Sequence, residues 1–129
     1  MTPKDKTQVS RQSEIGKKGE VLAAEFLQEL GFIILERNWR YKKAEVDIIA
    51  KDGKVLVFTE VKSRSSTHFG RPEDFVDDKK KKMMTAAISY YMEAHQHNWE
   101  IRFDIISVIF DSEKQYRLQH FKDAFFPGL

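Results

Sequence analysis

The stretch AEVDIIAKDGKVLVFTEVKSR, residues 44–64, reads as two apolar β-strands joined by a tight turn. An Asp-Gly pair between runs of hydrophobic residues is the strongest short-range signal for a β-hairpin. If Asp52 and Gly53 form a two-residue turn, the strands pair in a register that sets Glu45 directly opposite Glu60. The hairpin therefore predicts part of a sheet that carries charged side chains among its apolar ones.

Side chains alternate between the two faces of a β-strand, so this register sorts the hairpin into two sets. The charged set consists of Glu45, Asp47, Leu56, Phe58, Glu60 and Lys62. The apolar set consists of Val46, Ile48, Val55, Val57 and Val61. Two carboxylates about 5 Å apart repel by roughly 3 kcal/mol at an effective dielectric constant of about 20. A compensating cation is therefore expected on the charged face.

A divalent cation suits this excess of carboxylates, because Lys62 alone cannot balance them. Mg²⁺ prefers oxygen ligands and binds through one or two carboxylates together with water and phosphate oxygens. We therefore expect Mg²⁺ or Mn²⁺ at Asp47 and Glu60, with Glu45 as a further candidate ligand. Such a metal can activate water against a phosphodiester, and the Lys62 ammonium can position that water or help to deprotonate it. The alternative is a solvated surface network in which Lys62 simply pairs with Glu60.

Helical periodicity appears on both sides of the hairpin. Apolar residues recur at helical spacing over about residues 13–30, and Gly31 follows as a typical helix C-cap. A second helix can begin at Asp77 or Asp78 and run to about residue 97. Residues 63–73 are predicted to form a loop.

Three further segments are predicted to be strands. They are FIILERNW (32–39), IRFDIISVIF (101–110) and QYRLQHF (115–121), the last as an edge strand. The order α-β-β-β-α-β-β predicts an α/β fold with a mixed central sheet of about five strands flanked by helices. Because strand 101–110 follows a helical crossover, we expect it to lie parallel to an earlier strand.

Composition bounds the domain organisation and the cellular location. A chain of 129 residues with 41% apolar residues is the size of one globular domain. Residues 1–12 are expected to form a flexible N-terminal tail and residues 13–129 a single domain. The absence of cysteine excludes disulfide bonds and thiolate metal sites and fits the cytoplasm. No apolar run suits a signal peptide or a membrane span, so no membrane partner is expected.

Basic residues are concentrated in four short segments, although the net charge is only +2. The segments are GKKGE, ERNWRYKK, VKSR and DDKKKK. If they converge on one face, they form a phosphate-binding surface. The candidate nucleic-acid contacts are Lys17, Arg40, Lys42, Lys43, Arg64 and Lys80. The alternative is that these stretches are solvated faces of helices and loops.

The charged residues also resemble a known pattern. Glu20 lies at the rim of the apolar stripe of the first predicted helix, where it can lean toward the sheet. Together with Glu20, Asp47 and the triplet Glu60-Val61-Lys62 resemble the PD-(D/E)xK nuclease signature in the arrangement of archaeal-type Holliday-junction resolvases. More closely, five ordered blocks over about residues 16–124 resemble the YraN family of small bacterial proteins, which are predicted endonucleases. The blocks are GKKGEVLAAEFLQELGF, ERNWR, AEVDIIAKDGKVLVFTEVKSR, DDKKKKM and RFDIISV.

This resemblance implies a restriction-endonuclease-like core with a divalent-metal site. The catalytic residues that it implies are Asp47, Glu60, Lys62 and Glu20. Asp47 and Glu60 would bind the metal, and Lys62 would be the active-site lysine. The sequence departs from the pattern at Ala44, Val46 and Thr59, and none of these departures removes a catalytic group.

The expected function is metal-dependent endonucleolytic hydrolysis of DNA phosphodiester bonds. The resemblance to resolvases further suggests that the cleavage is specific for DNA structure. Resolvases act as two-fold dimers, so the resemblance suggests a homodimer on branched DNA. One alternative is a nucleic-acid-binding module of nuclease fold without efficient cleavage. Another is a structural interaction domain whose hairpin charges form an ordinary surface network.

Overall fold

The computed structural model describes residues 6–65 and 78–124 of the chain, with side chains from residue 13 onward. Two helices and five strands follow one another along these residues. They are α1 (Lys6–Glu29), β1 (Ile33–Tyr41), β2 (Ala44–Asp52), β3 (Val55–Ser65), α2 (Asp78–Ala94), β4 (Ile101–Phe110) and β5 (Tyr116–Phe121). The predicted order of elements and the α/β fold class are confirmed.

The helices and the segment between them differ in detail from their predicted bounds. The α1 helix begins before the predicted start near residue 13, and Gly31 beyond its end has a φ of +95°, as a left-handed cap requires. The α2 helix ends before the predicted residue 97. The loop predicted for residues 63–73 is wrong at its beginning, because β3 continues through Ser65, and residues 66–73 lie outside the described residues. The flexibility expected of residues 1–12 stays a prediction.

The five strands form one sheet in the order β1-β2-β3-β4-β5. The β1, β2 and β3 strands are antiparallel neighbours, β3 and β4 are parallel, and β4 and β5 are antiparallel. The α2 helix lies in the crossover that a parallel pair requires. The mixed sheet, the parallel partner for β4 and the edge position of β5 are therefore confirmed.

One helix covers each face of the sheet. The α1-side core consists of Ala23, Ala24, Leu27, Phe32, Ile48, Ala50, Val57, Ile106 and Val108. The α2-side core consists of Val46, Ile49, Leu56, Phe58, Met84, Ile88, Tyr91, Phe103 and Ile105. Burial of each large aliphatic or aromatic side chain contributes about 1.5–3 kcal/mol, so these two cores hold the helices on the sheet. Within the described residues, neither helix is long and apolar enough to cross a membrane.

The turn of the central hairpin lies one residue later than predicted, at residues 53–54. Asp52 pairs with Val55, which shifts β3 by two residues relative to the predicted register. The turn begins with a glycine at φ +62°, the residue and conformation that a type II′ hairpin turn favours at this position. The predicted opposition of Glu45 and Glu60 is therefore wrong.

Side-chain alternation breaks at Asn38 of β1, whose backbone is left-handed with φ +53°. In β2, Ile48 belongs to the α1-side core, whereas Val46 and its cross-strand partner Trp39 pack on the α2 side. Asparagine is one of the few residues other than glycine that adopts positive φ readily. The prediction that Val46 shares a face with Ile48 is therefore wrong, and both strands change face next to Asp47.

The α1 helix approaches β3 very closely at Gly19. A Cβ atom at this position would lie 1.7 Å from Ser63 Oγ and 2.9 Å from Ser63 Cβ. No side chain fits there without a shift of the helix or the strand. The close approach brings the next residue, Glu20, to the sheet.

Candidate active site

The hairpin strands β2 and β3 part at the end of their ladder, and Asp47 lies at this opening. The last paired residues are Ile48 and Thr59. Beyond them, Asp47 Oδ2 accepts a hydrogen bond of 2.7 Å from the backbone N–H of Val61. This bond ties the carboxylate to β3 next to Glu60.

Asp47 is the centre of a cluster of carboxylates. Burial is the largest cause that raises the pKa of the Asp47 carboxyl, and the bond from the Val61 N–H partly opposes it. The negative charges of Glu20, Glu60 and Glu45 raise this pKa further, to about 7. The ordinary pKa of an aspartate is about 3.9. The structure therefore gathers the predicted carboxylates around one aspartate, and their mutual repulsion disfavours its charge unless a cation is present.

Glu60 is almost completely buried and contacts two lysines. Lys62 Nζ lies 3.1 Å from Glu60 Oε1, and Lys80 Nζ from the first turn of α2 contacts the same oxygen. The other oxygen, Oε2, is buried without a hydrogen-bond partner. Because a buried acceptor without a partner is costly, Oε2 is an atom at which a cation would be stabilising. Lys80, predicted to contact nucleic acid, is thus a neighbour of the carboxylate cluster.

Glu20 reaches the cluster from α1, and Asn38 holds it there. Burial raises the pKa of Glu20, whereas a hydrogen bond from the Asn38 side chain lowers it, and the charge of Glu45 raises it. Asn38 is also the residue whose left-handed backbone breaks the alternation of β1. Sequence reasoning missed this role. The available signal was an asparagine inside an otherwise strand-forming segment, since asparagine tolerates positive φ.

Glu45 lies at the rim of the cluster. Its Oε2 is 3.2 Å from the Arg40 guanidinium, with 37% of the Glu45 side chain and 74% of the Arg40 side chain exposed. A cavity of about 220 Å³ opens beside it, lined by Lys43, Ala44, Glu45, Glu60, Lys80, Met83 and Met84. Glu45 therefore shares a cavity with Glu60 without facing it across the hairpin.

The other predicted nucleic-acid contacts lie at different distances from this cavity. Lys42 and Lys43 form the turn between β1 and β2, and Lys43 lines the cavity. Arg64 is half-buried near the end of β3. Lys17 is exposed on α1 and lines a separate cavity with Phe110 of β4 and Tyr116 of β5. The structure brings Lys43 and Lys80 to the carboxylate cluster and leaves Lys17 on another surface.

The carboxylates fit an open, partly hydrated Mg²⁺ or Mn²⁺ site better than a closed cage. Among residues 13–65 and 78–124, no three Asp, Glu or His side chains converge into a ready-made metal site. Mg²⁺ seldom uses such a cage, because it keeps several waters and binds through one or two carboxylates. Asp47 and the free Oε2 of Glu60 supply oxygen donors of this kind.

Comparison with known proteins finds similar chains in several bacteria. The profile of the uncharacterised protein family UPF0102 matches residues 19–108, a range that includes the carboxylate cluster. A UPF0102 protein of Flavobacterium psychrophilum is 45% identical over 118 residues, which cover 92% of this chain and 98% of the relative. A UPF0102 protein of Christiangramia forsetii is 46% identical over 118 residues, covering 92% and 98%. One of Bacteroides thetaiotaomicron is 42% identical over 121 residues, covering 94% and 99%.

Proposed function

The chain belongs to the UPF0102 family, and we propose that it is a metal-dependent endonuclease that hydrolyses phosphodiester bonds in DNA. One observation carries this proposal: Asp47, with its pKa raised to about 7, lies beside Glu60, which presents one unpartnered oxygen. Perturbed carboxylates clustered with a lysine at a cavity are typical of catalytic sites. The resemblance to PD-(D/E)xK nucleases, and with it the restriction-endonuclease-like core, is part of the same proposal.

The residues of the cluster have distinct roles in this proposal. A bound Mg²⁺ or Mn²⁺ would supply Lewis-acid stabilisation of the charge that develops on the scissile phosphate. Asp47 and Glu60 would hold it, and the Val61 N–H keeps the Asp47 carboxylate in place. Lys62 orients the attacking water or helps to remove its proton.

The surrounding residues extend this division of roles. Lys80 adds a second positive charge at Glu60 that a phosphate group can contact. Glu20 is held by a hydrogen bond from Asn38 and would accept a hydrogen bond from a water molecule at the edge of the cluster. Arg40, Lys42 and Lys43 contact the flanking phosphates.

A second candidate function is a DNA-binding module of the same fold without efficient cleavage. The contact of both Lys62 and Lys80 with Glu60 Oε1 favours it, because two ammonium groups compete with a divalent cation for that carboxylate. In either case we place the protein in the cytoplasm. A homodimer on branched DNA is the assembly that the resolvase resemblance suggests.

Cleavage assays test the proposal directly. Duplex, single-stranded and four-way-junction DNA are incubated with the protein in Mg²⁺, Mn²⁺ or EDTA. We expect cleavage only with a divalent metal. Asp47→Asn should slow cleavage by at least about a hundredfold, since it removes a metal ligand. Lys62→Ala should slow it by about 10² to 10⁴, the usual range for loss of an acid–base group.

Two matched variants control for general damage. Asp52→Asn makes the same carboxylate-to-amide change at the far end of β2, and Lys51→Ala removes an exposed lysine of the same hairpin. Both should cleave like the unchanged protein. Undiminished cleavage by Asp47→Asn and Lys62→Ala would refute the proposed active site. Salt-dependent DNA binding with no cleavage of any substrate would favour the binding module.

A further inference from the structure

A partly exposed stack of aromatic side chains lies next to the carboxylate cluster. Tyr41 at the end of β1 and Tyr90 of α2 stack with ring centroids 4.4 Å apart and ring planes 18° apart. Trp39 is nearly parallel to both rings, 6.3 Å from Tyr41 and 6.4 Å from Tyr90. Tyr41 stacks on the Tyr90 ring, and Tyr90 is still 50% exposed. The roles described above do not use these rings.

A groove connects the aromatic stack to the cavity of the carboxylate cluster. Its volume is about 260 Å³, and it is lined by Tyr41, Lys42, Lys43, Ala44, Met83 and Ala86. Lys43, Ala44 and Met83 also line the cavity that contains Glu60. The two hollows are therefore neighbours with a shared wall, and a chain that passes Glu60 can continue along the groove to the stack.

The chemistry of the groove suits a nucleotide. Its floor of alanine and methionine and its tyrosine wall are apolar, which favours the flat face of a base. Lys42 and Lys43 stand at its edge, and Lys42 Nζ lies 5.4 Å from the centre of the Tyr41 ring. Aromatic platforms combined with positive charge are the usual means of binding unpaired nucleic acid, because every base has a face that can stack.

We propose that the Tyr41–Tyr90 stack is a platform for an unpaired base of DNA that flanks the phosphate at Glu60. Lys42 and Lys43 contact the phosphates on either side of this base. The inference rests on the proposed nuclease function and narrows its substrate to DNA with a single-stranded segment next to the cleaved bond. A base inside a duplex cannot present its face to Tyr90, so a continuous duplex should bind less well.

The competing explanation is that the stack only packs α2 against the β1–β2 hairpin. Trp39 supports packing, since its ring meets the buried Tyr91 edge-to-face at 5.3 Å. Packing alone requires an apolar side chain at position 90, whereas base stacking requires an aromatic ring. Leucine and phenylalanine at this position therefore separate the two explanations.

Binding to uncut DNA in EDTA tests the platform without any contribution from metal or cleavage. The probes are a fluorescently labelled single-stranded oligonucleotide and the duplex of the same sequence, with affinity measured by fluorescence anisotropy. Tyr90→Leu should weaken single-strand binding about tenfold and leave duplex binding unchanged, as expected for the loss of one base stack. Tyr90→Phe should bind like the unchanged protein. Thermal unfolding of each variant confirms that it is folded.

Tyr116→Leu is the matched control. Tyr116 is an exposed tyrosine of the same kind, 47% exposed, on the edge strand β5. It should not change affinity for either DNA. An equal loss in Tyr116→Leu and Tyr90→Leu, or an equal loss for single-stranded and duplex DNA, would overturn the platform.

A measurement on the unchanged protein covers the case in which Tyr90→Leu does not fold. An oligonucleotide that contains 2-aminopurine should lose fluorescence on binding, because stacking on an aromatic ring quenches this base. Unchanged 2-aminopurine fluorescence at every position along a bound oligonucleotide would also overturn the platform.

The outcomes distinguish the platform from the nuclease. If Tyr90→Leu weakens single-strand binding but no DNA is cut, the base-stacking platform is supported and the nuclease activity is refuted. If Asp47-dependent cleavage occurs and the Tyr90 variants bind and cut normally, the nuclease stands and the platform fails.

Discussion

Two aspartates of this sheet, the fully buried Asp104 and the half-buried Asp47, have opposite surroundings. Asp104 of β4 is fully buried, and its oxygens contact Arg102, His120 and the N–H of Asp123 at 2.8–3.0 Å. Burial would raise the pKa of Asp104, but the bonds from His120, Arg102 and the Asp123 N–H outweigh it, so this pKa is lowered. Asp47 of β2 has the Val61 N–H for a partner and three carboxylates nearby, and its pKa is raised to about 7.

The groups around each carboxyl account for the difference in pKa between Asp47 and Asp104 more than its depth of burial does. A buried carboxylate with a guanidinium, an imidazole and a backbone N–H around it has a complete set of hydrogen bonds and contributes to stability. A carboxylate surrounded by other carboxylates costs stability until a cation binds. We therefore interpret Asp104 as a structural residue and Asp47 as a functional one, although both lie within the same sheet.

The largest expected effect is the loss of stability in Asp104→Asn. The substitution takes the carboxylate of Asp104 from the guanidinium of Arg102, whose side chain is only 17% exposed, and leaves Asp52 at 3.1 Å as its carboxylate partner. Removal of one partner from a buried ion pair costs about 3–5 kcal/mol in the free energy of unfolding. Asp47→Asn makes the same change where the charge is disfavoured, so it should cost less than about 1 kcal/mol or be stabilising.

Urea unfolding of both variants at pH 7 in EDTA measures this contrast. Asp104→Asn should retain cleavage in proportion to its folded fraction, whereas Asp47→Asn should be folded and inactive. Similar losses of unfolding free energy in the two variants would remove the distinction between the two aspartates.

The second prediction concerns the pH dependence of stability without metal. The folded-state pKa of Asp47 is about 7, above its unfolded value of about 3.9. The stability that the protonated Asp47 carboxyl contributes is therefore fully present below about pH 4 and is lost as pH rises through about 7, a total change of about 4 kcal/mol. The pKa of Asp104 is lowered on folding. The stability that its carboxylate contributes is therefore present above the unfolded-state pKa and is lost as pH falls through the folded-state pKa.

Unfolding free energies of the unchanged protein and of Asp47→Asn, measured in EDTA from pH 4 to pH 8, check this sign. The difference between the two proteins should change in favour of Asp47→Asn as pH rises. A constant difference across this range would show that the pKa of Asp47 is not raised.

The third prediction tests whether the helix-borne Glu20 belongs to the cluster. Gly19→Ala should destabilise the protein by about 1–3 kcal/mol, because the new methyl group overlaps Ser63 and displaces α1. Cleavage should fall as Glu20 moves away from Asp47. In a Ser63→Gly background the same alanine should cost less, since the atoms that it meets are gone. If the losses of stability from Gly19→Ala and Ser63→Gly simply add in the double mutant, the alanine does not act through contact with Ser63.

The smallest expected effect concerns Asn38. Asn38→Ala should destabilise by about 1 kcal/mol because alanine disfavours positive φ, whereas Asn38→Gly should be nearly neutral. Both lose the side-chain donor to Glu20, so both should slow cleavage by about tenfold, as loss of a supporting hydrogen bond typically does. Full activity in Asn38→Gly would show that Asn38 is needed only for its backbone conformation and not for its hydrogen bond to Glu20.

Local sequence patterns determined most of the fold. Helical and strand periodicities depend on neighbours along the chain, and they predicted the order of elements, the mixed sheet and the edge position of β5. The same alternation identified Asp47, Glu60 and Lys62 as close neighbours. These three residues lie within sixteen positions of each other, 47–62, so a single hairpin brings them together.

Other features depended on contacts between distant segments. The turn at residues 53–54 and the predicted turn one residue earlier both contain Gly53 and place the same side chains on each face, so neither turn chemistry nor side-chain alternation distinguishes the two registers. The contact of Lys80 with Glu60 and the hydrogen bond of Asn38 to Glu20 each join elements that no local pattern connects.

For this protein, the sequence by itself determined which residue types form the elements and which charges lie on the central hairpin, because these follow from spacing of two to four residues. Only the tertiary structure decided that Asp104 has a full set of partners and that Asp47 is surrounded by carboxylates. Burial and hydrogen bonding of a carboxylate depend on every strand and helix around it, and sequence spacing does not contain that information.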